Sequence, residues 1–312
     1  MAREWGFWTR GKLQILRNYL NEFTTTAKHK ATERLYFDLF AGETENIDRI
    51  TGEPLQGSPW VALSTDDPPF TRLRFFELNH PKELEEQLRA DFPDRDFRVF
   101  PGDCNEIIHQ VLGDLEEVSW APAFAFIDPD GPDVRWGTLE ALAAFKAGRK
   151  YKVELWMLFP EPMFVRLLRV DGEDVRPQDV DRISAMFGTD EWRAIYEARV
   201  REELEPSQAR MEYVNLMRWR LEKLLGYRRT HPFEVRNEQG GPIYHLIFGT
   251  DNEAGDRIMS HLYGRALQEF PRMRQQAIDQ RKGRLRLFDD SEFGGEPEQY
   301  QYEPPWPPYG SK

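Results

Sequence analysis

Short apolar runs alternate with helix-like segments along the first half of the chain. Runs of roughly four to eight apolar residues are typical of strands that are buried on both faces of a sheet. Because a helix-like segment follows each run, the pattern predicts a doubly wound, mostly parallel α/β sheet. The predicted strands are 35–40, 73–77, 97–100, 123–127 and 152–159, and the predicted helices are 12–23, 59–64, 81–91, 105–112 and 138–146.

The second half of the chain begins with helices and then returns to strands. The helical block is predicted to be an insertion between the fifth strand and a closing antiparallel hairpin, which brings the sheet to seven strands. A helix follows the hairpin, with its cap near Asp251. The predicted elements are helices within 162–225, with Met186–Val200 and Met211–Leu225 the clearest, hairpin strands His231–Arg236 and Ile243–Gly249, and a last helix from about Glu253 to Phe270.

Helix 12–23 has an apolar side and a polar side. Leu13 and Leu16 fall at helical spacing, which makes the helix amphipathic. Lys12 and Arg17 are expected on its wetter side, and Lys12 is also a candidate for contact with a substrate.

Composition divides the chain into one domain and a tail. The 312 residues, 40% of them hydrophobic, are enough for one large α/β domain, predicted at 1–288. From 289 to 312 Gly, Pro, Glu, Gln and Tyr dominate, which predicts an extended or disordered acidic, Pro-rich tail. Polyproline II character is expected at its tip.

Compartment and metal content are limited by what the sequence contains. No run approaches the roughly 18 apolar residues of a membrane span, and the first residues do not form a leader, so a cytoplasmic protein is expected. Cys104 is the single cysteine and the six histidines are scattered, so no metal site is expected.

Charge is unevenly distributed. The formal net charge of -12 argues against non-specific binding to nucleic acid, since that affinity depends on neutralising phosphates. One late stretch is nevertheless basic, and it is either a solvated helix face or a surface that contacts the phosphates of a nucleic acid. Its cations are Arg272, Arg274, Arg281, Lys282, Arg284 and Arg286.

Acidic residues stand at the carboxyl ends of the first four predicted strands. They are Asp38, Glu77, Asp103 and Asp128. Ligands of doubly wound sheets bind outside these strand ends, where the strand order reverses. An acid after the second strand can accept hydrogen bonds from both hydroxyls of a ribose, and one after the third can accept from an adenine amino group. The alternative is that each acid only caps the next helix.

Five segments resemble the three-Cys-motif partner family. They are KLQILRNYL at 12–20, YFDLFAG at 36–42, TGEPLQGSP at 51–59, AFIDPDG at 125–131 and PIYHLIFGT at 242–250. The resemblance implies a class I methyltransferase-like, Rossmann-like fold and a pocket for S-adenosylmethionine. It also implies a functional link to a separate protein that carries three cysteines and resembles radical S-adenosylmethionine enzymes.

The strand-end acids and the resembling segments give one predicted site. The predicted cofactor-binding residues are Asp38, Phe40, Ala41, Gly42, Glu77, Asp103, Cys104 and Asp128, and the predicted catalytic residues are Asp128, Pro129 and Asp130.

Two departures from familiar motifs affect the chemistry. Thr44 follows Glu43 where the first motif usually has a second glycine. Asp128-Pro129-Asp130-Gly131 stands where amino-methyltransferases have [DN]-P-P-[YF], so the aromatic that stacks on a target base is missing. Candidates to replace it, by residue type alone, are Trp136, Phe159 and Trp219.

Three functions fit these features. The first is an S-adenosylmethionine-dependent methyltransferase that acts on a nucleic acid base. The second is a non-catalytic or accessory partner of a three-cysteine protein. The third is a metal-dependent nuclease that holds magnesium between Asp38, Glu43 and Asp128.

Overall fold

A computed structural model describes most of the chain. The described residues are 3–42, 46–48, 52, 54–169, 175–282 and 300–311. The sequence predictions that concern Glu43, Thr44, Arg284, Arg286 and residues 289–299 therefore fall outside the described residues.

Nine strands and ten α-helices form the described chain, with a short 3-10 helix at Glu116–Val118. The strands are β1 Arg3–Trp5, β2 Leu35–Asp38, β3 Asn46–Asp48, β4 Arg72–Glu77, β5 Phe97–Pro101, β6 Ala123–Ile127, β7 Glu154–Phe159, β8 Arg229–Arg236 and β9 Pro242–Thr250. The helices are α1 Phe7–Ala27, α2 Ser58–Leu63, α3 Pro81–Asp91, α4 Cys104–Gly113, α5 Trp136–Ala144, α6 Glu161–Leu167, α7 Pro177–Phe187, α8 Trp192–Val200, α9 Pro206–Lys223 and α10 Glu253–Arg281.

Seven strands form the main sheet in the order β5-β4-β2-β6-β7-β9-β8. The first five are parallel, β9 is antiparallel to both its neighbours, and β8 therefore runs with the other five. The predicted fold class, a doubly wound sheet closed by an antiparallel hairpin, is confirmed. β1 and β3 form a separate parallel pair.

The strand order reverses between β2 and β6. From β2 the chain moves outward through β4 and β5, then returns to place β6 on the other side of β2. The two crossovers diverge at this point and leave a crevice outside the carboxyl ends of the strands. The topology therefore fixes where a ligand can bind.

Both faces of the sheet are covered, which explains the unbroken apolar runs in the sequence. Phe37 faces the core layer under α4 to α9, whereas its neighbour Tyr36 faces the layer under α1, α2, α3 and α10. Successive strand residues point to opposite faces, so a strand covered on both faces must be apolar at every position. Within the described residues, no helix is long and apolar enough to cross a membrane.

Two helix predictions are wrong. Met186–Val200 is not one helix, because α7 ends at Phe187 and α8 begins only at Trp192. Gly188 lies between them with φ +65°, and a Cβ on it would lie 2.4 Å from the Trp136 ring, so this turn requires glycine.

The last helix does not end at Phe270 but continues through Pro271 to Arg281. Arg274 donates to the carbonyl of Glu238 in the β8–β9 turn, which ties the final turns to the sheet despite the bond that proline removes. Its cap is Asn252, which accepts from the Ala254 amide, rather than the predicted Asp251.

The end of the chain is extended and docked. Residues 300–311 contain no helix or strand and lie along α9 and β8. Asn215, a fully buried residue of α9, accepts from the Trp306 amide at 3.0 Å and donates to the Trp306 carbonyl at 2.9 Å. The Tyr300 hydroxyl donates to the Pro232 carbonyl at 2.8 Å. The buried side-chain amide of Asn215 thus pairs with both backbone groups of Trp306, as a residue of a neighbouring strand would.

Asn215→Ala is expected to release this segment. The substitution removes both hydrogen bonds and leaves the Trp306 backbone groups unpaired, at a cost of about 1–2 kcal/mol in the free energy of unfolding. Urea unfolding measures the loss, and amide hydrogen exchange should become faster across 300–311. Asn21→Ala, at an exposed position of α1, serves as the control and should change neither. Unchanged exchange in 300–311 would contradict the docking.

Candidate functional site

A cavity of about 650 Å³ opens at the carboxyl ends of β2, β4, β5, β6 and β7. It lies at the reversal of strand order, and its size is typical of a site for a small organic ligand or cofactor. The structure brings nine of the predicted site residues into its wall, namely Phe40, Ala41, Gly42, Glu77, Asp103, Cys104, Asp128, Pro129 and Asp130.

Glu77 fastens the β2 and β4 ends together. Its carboxylate accepts from the backbone N–H of Gly42 at 3.0 Å, of Asn79 at 2.9 Å and of His80 at 3.1 Å. Gly42 has φ +78°, which favours glycine in this turn. A carboxylate has about four acceptor positions, so these bonds leave roughly one for a ligand. The prediction that Glu77 accepts from both ribose hydroxyls therefore needs one of the three amides to be released.

Asp103 serves as a helix cap and as cavity wall. Its side chain accepts from the Asn105 amide at 2.9 Å, which caps α4, and it pairs with Arg135 at 3.3 Å. The side chain is still 35% exposed. Next to it, burial raises the pKa of the Cys104 thiol to about 12, so the thiol is neutral and unreactive at physiological pH.

Asp38 does not belong to the wall, which corrects its predicted role as a cofactor contact. It is fully buried behind the cavity and accepts from the Tyr36 hydroxyl at 3.3 Å. Burial raises the pKa of Asp38 to about 7, and the nearby Asp128 carboxylate raises it as well, whereas a bond from Ser58 lowers it. The nuclease hypothesis needs Asp38 on a shared ion, and this placement does not support it.

Lys12 is buried, which corrects its predicted place on the wet side of α1. It is only 5% exposed, lines the cavity, and its ammonium forms an ion pair with the Asp128 carboxylate. The ammonium also lies 5.8 Å from the centre of the Tyr244 ring and 5.9 Å from that of Phe126. A cation near aromatic rings is stabilised by their electron density. Asp128, 22% exposed, therefore reaches the cavity already paired with a cation.

The three aromatic residues proposed for base stacking do not line the cavity. Trp136 and Phe159 are buried in the core, and the Trp219 ring lies under Lys223. The aromatic residues that do line it are Trp5, Trp8, Phe40, Phe76 and Tyr244. Tyr244 stands out among them, because its hydroxyl is buried and has no hydrogen-bond partner within the described chain.

The helical insertion completes the wall. Met163 and Arg166 of α6, with Arg182 and Ala185 of α7, line the side of the cavity near Pro160. Arg182 pairs with Asp133 at 2.6 Å. Sequence reasoning missed these residues, and the one signal was the position of the insertion directly after the fifth strand of the sheet.

The basic stretch lies apart from the cavity wall. Arg281 pairs with Glu238 at 2.9 Å, and Arg274 donates to the carbonyl of the same residue. Glu238 thus binds two of the cations that were predicted to contact phosphates. Nucleic acid binding through this stretch stays a prediction.

No protein-family model matches the chain, and no curated protein matches it. Among solved structures, two of the methyltransferase domain of bacterial CtHen1 are similar at 9% and 10% identity, each with a TM-score of 0.32. They cover 75% of this chain and 98% and 99% of theirs. A Streptococcus thermophilus chain described as a possible hemolysin has 13% identity and a TM-score of 0.33, over 83% of this chain and 75% of its own.

The sheet itself defines the fold class. Its strand order is that of a class I methyltransferase-like fold, in which the strand before the last in the sheet, here β9, is the one antiparallel strand. Membership of the three-Cys-motif partner family stays a prediction.

Proposed function

We propose that the protein is an S-adenosylmethionine-dependent methyltransferase that acts on a nucleic acid base. One observation carries the proposal: Glu77, Asp103 and Asp128, from three different strands, line one cavity at the reversal of strand order. Each acid alone is explained by local structure, as the loop amides bound by Glu77 and the helix cap made by Asp103 illustrate. Their convergence on one cavity supports a ligand site.

The residues present fit an adenosyl group. Glu77 keeps about one acceptor position for a ribose hydroxyl. Leu78 is 64% exposed in the wall and offers an apolar surface to a ring, and Asp103 lines the same cavity. When bound, S-adenosylmethionine supplies a methyl group activated by a positively charged sulfur.

The other end of the cavity supplies polar groups for an acceptor. Lys12 and Asp128 hold each other in place, and the Lys12 ammonium lies near two aromatic rings, which orients the pair before a substrate binds. An acceptor atom that carries a proton must lose it as its bond to the methyl group forms, and Asp128 is the base in this wall best placed to receive it. Positioning of this kind supplies much of the rate of a bimolecular transfer.

Cofactor binding tests the proposal. We expect S-adenosylmethionine and S-adenosylhomocysteine to raise the melting temperature, because a ligand that binds only the folded state stabilises it. Glu77→Gln should weaken binding about tenfold or more, since a hydrogen bond to a charged group is lost. Isothermal titration calorimetry measures the affinity.

Glu86→Gln, at an exposed position of α3, is the matched control and should bind like the unmodified protein. The melting temperature of ligand-free Glu77→Gln separates a binding defect from loss of the bonds to the three backbone amides. If neither ligand binds the unmodified protein, the proposed function is wrong.

The accessory function is the second candidate, and the Lys12–Asp128 pair favours it. An acid that already holds a cation of its own chain has less capacity to bind an amine substrate. Cofactor binding without methyl transfer to DNA or RNA by the single chain would support this reading, in which a three-cysteine partner supplies the chemistry.

A further inference from the structure

We propose that the acceptor is a base that presents a carbonyl oxygen, as guanine and uracil do, and that Lys12 and Tyr244 bind this oxygen. The inference rests on the proposed function and names the substrate class of the same cavity. It separates the protein from methyltransferases of exocyclic amino groups, whose substrates present a hydrogen-bond donor at the corresponding position.

Lys12 is a donor with unused capacity. An ammonium group carries three N–H bonds and no acceptor. Within the described residues, its one hydrogen-bond acceptor is Asp128. The side chain is 5% exposed and lines the cavity, so the partners of its remaining N–H bonds depend on what the cavity contains. A carbonyl oxygen in the cavity would satisfy them, as lysine does when it binds O6 of guanine.

Tyr244 is a second donor in the same cavity wall. Its ring lies 5.8 Å from the Lys12 ammonium, and its hydroxyl is buried with no hydrogen-bond partner in the described chain. Burial raises the pKa of Tyr244, and the Asp128 carboxylate raises it too, so the hydroxyl keeps its proton at neutral pH. A buried donor without a partner is unfavourable, and a ligand oxygen would relieve it.

The Lys12 ammonium disfavours an amino substituent. An exocyclic amine would point its N–H bonds at the N–H bonds of Lys12, and the acceptor that could receive them, Asp128, is paired with that lysine. A site built with donors rejects a ligand that brings donors, because polar groups on both sides stay unpaired. The arrangement therefore selects oxygen over nitrogen at this position.

Two matched pairs of nucleotides test the selection. At position 6, inosine 5′-monophosphate has a carbonyl group and adenosine 5′-monophosphate has an amino group; the adjacent ring nitrogen carries a proton only in inosine. Uridine and cytidine 5′-monophosphates differ in the same way at position 4. Calorimetric titration into protein saturated with S-adenosylhomocysteine should show about tenfold or tighter binding of each carbonyl member. Saturation keeps adenosine monophosphate out of the cofactor end.

Tyr244→Phe and Lys12→Met test the two donors. Tyr244→Phe removes only the unpaired hydroxyl and should reduce the preference severalfold, with S-adenosylhomocysteine binding unchanged and the melting temperature equal or higher. Lys12→Met should abolish or reverse the preference, because it also frees the Asp128 carboxylate to accept from an amine. Lys28→Met makes the same change at an exposed lysine just after α1 and should retain the full preference.

Equal or tighter binding of the amino nucleotides overturns the inference, as does the absence of binding by all four. Unchanged selectivity in Tyr244→Phe removes that residue from the site even if Lys12→Met fails to fold. If the protein does not bind S-adenosylhomocysteine, the same four titrations can be run without it, and they still measure the base preference. Failure of the proposed function is therefore distinguishable from failure of this inference.

Discussion

Lys12→Met is expected to lower the free energy of unfolding by about 2–4 kcal/mol. Removing one partner of a buried ion pair leaves the other charge uncompensated, which costs more than the pair itself contributes. Because Asp128 is 22% exposed and reaches the cavity, the loss should fall below that of a fully buried pair. Urea unfolding at neutral pH gives the measurement.

A second substitution should restore most of this loss. In Lys12→Met/Asp128→Asn no unpaired charge remains, and the double variant should come within roughly 1–2 kcal/mol of the unmodified protein. Lys28→Met breaks only the exposed pair with Asp67 and should cost less than about 1 kcal/mol. A Lys12→Met protein as stable as the unmodified one would show that the pair does not form in solution.

Two buried acids, Asp38 and Glu154, are each expected to lower the free energy of unfolding as the pH rises from about 4 to about 7. Burial raises the pKa of Asp38 to about 7 and the pKa of Glu154 to about 7, whereas acids in the unfolded chain titrate near 4. Between these values the folded state binds more protons than the unfolded state, so each added pH unit favours unfolding. Each acid should contribute roughly 2–4 kcal/mol across the window.

Neutral amides of the same shape isolate each contribution. Asp38→Asn and Glu154→Gln should each flatten the pH dependence, with stability relative to the unmodified protein greatest near pH 7 and least near pH 4. Glu154 accepts from the hydroxyls of Tyr19 and Thr250 at 2.6 Å each, and both hydroxyls can turn to accept from the amide. Urea unfolding from pH 4.5 to 8 gives the slopes, and unchanged slopes in both variants would contradict the placement of these acids.

The sheet could be predicted from the sequence because its signal is local. Strand 123–127 was predicted with its observed bounds, since a strand covered on both faces is apolar throughout. Helix 81–91 was also predicted with its observed bounds from its proline start and amphipathic spacing. The end of α10 was missed because Pro271 normally ends a helix, and only contacts with the distant β8–β9 turn show why it continues.

The part of the site that depends on strand ends could also be predicted, because the position of a strand end is a local property of the sequence. Parallel strands end at one edge, so acids after different strands meet there, and Glu77, Asp103 and Asp128 do. The direction of a side chain relative to that edge is not a local property, and Asp38 accordingly lies behind the wall. Tyr244 reaches the cavity from more than one hundred residues beyond Asp128, on a strand whose pairing with β7 the local pattern does not encode.

The carboxylate of Glu77 has a consequence for how this cavity could change over evolutionary time. Three backbone amides depend on it, one in the β2 turn and two at the start of α3. A lineage that gave up ligand binding would still need a hydrogen-bond acceptor there to satisfy these amides. Lys12 and Asp128 depend mainly on each other, since no hydrogen bond joins either side chain to a backbone group within the described residues. They are free to be lost together, so decay of the activity would appear first at this pair and last at Glu77.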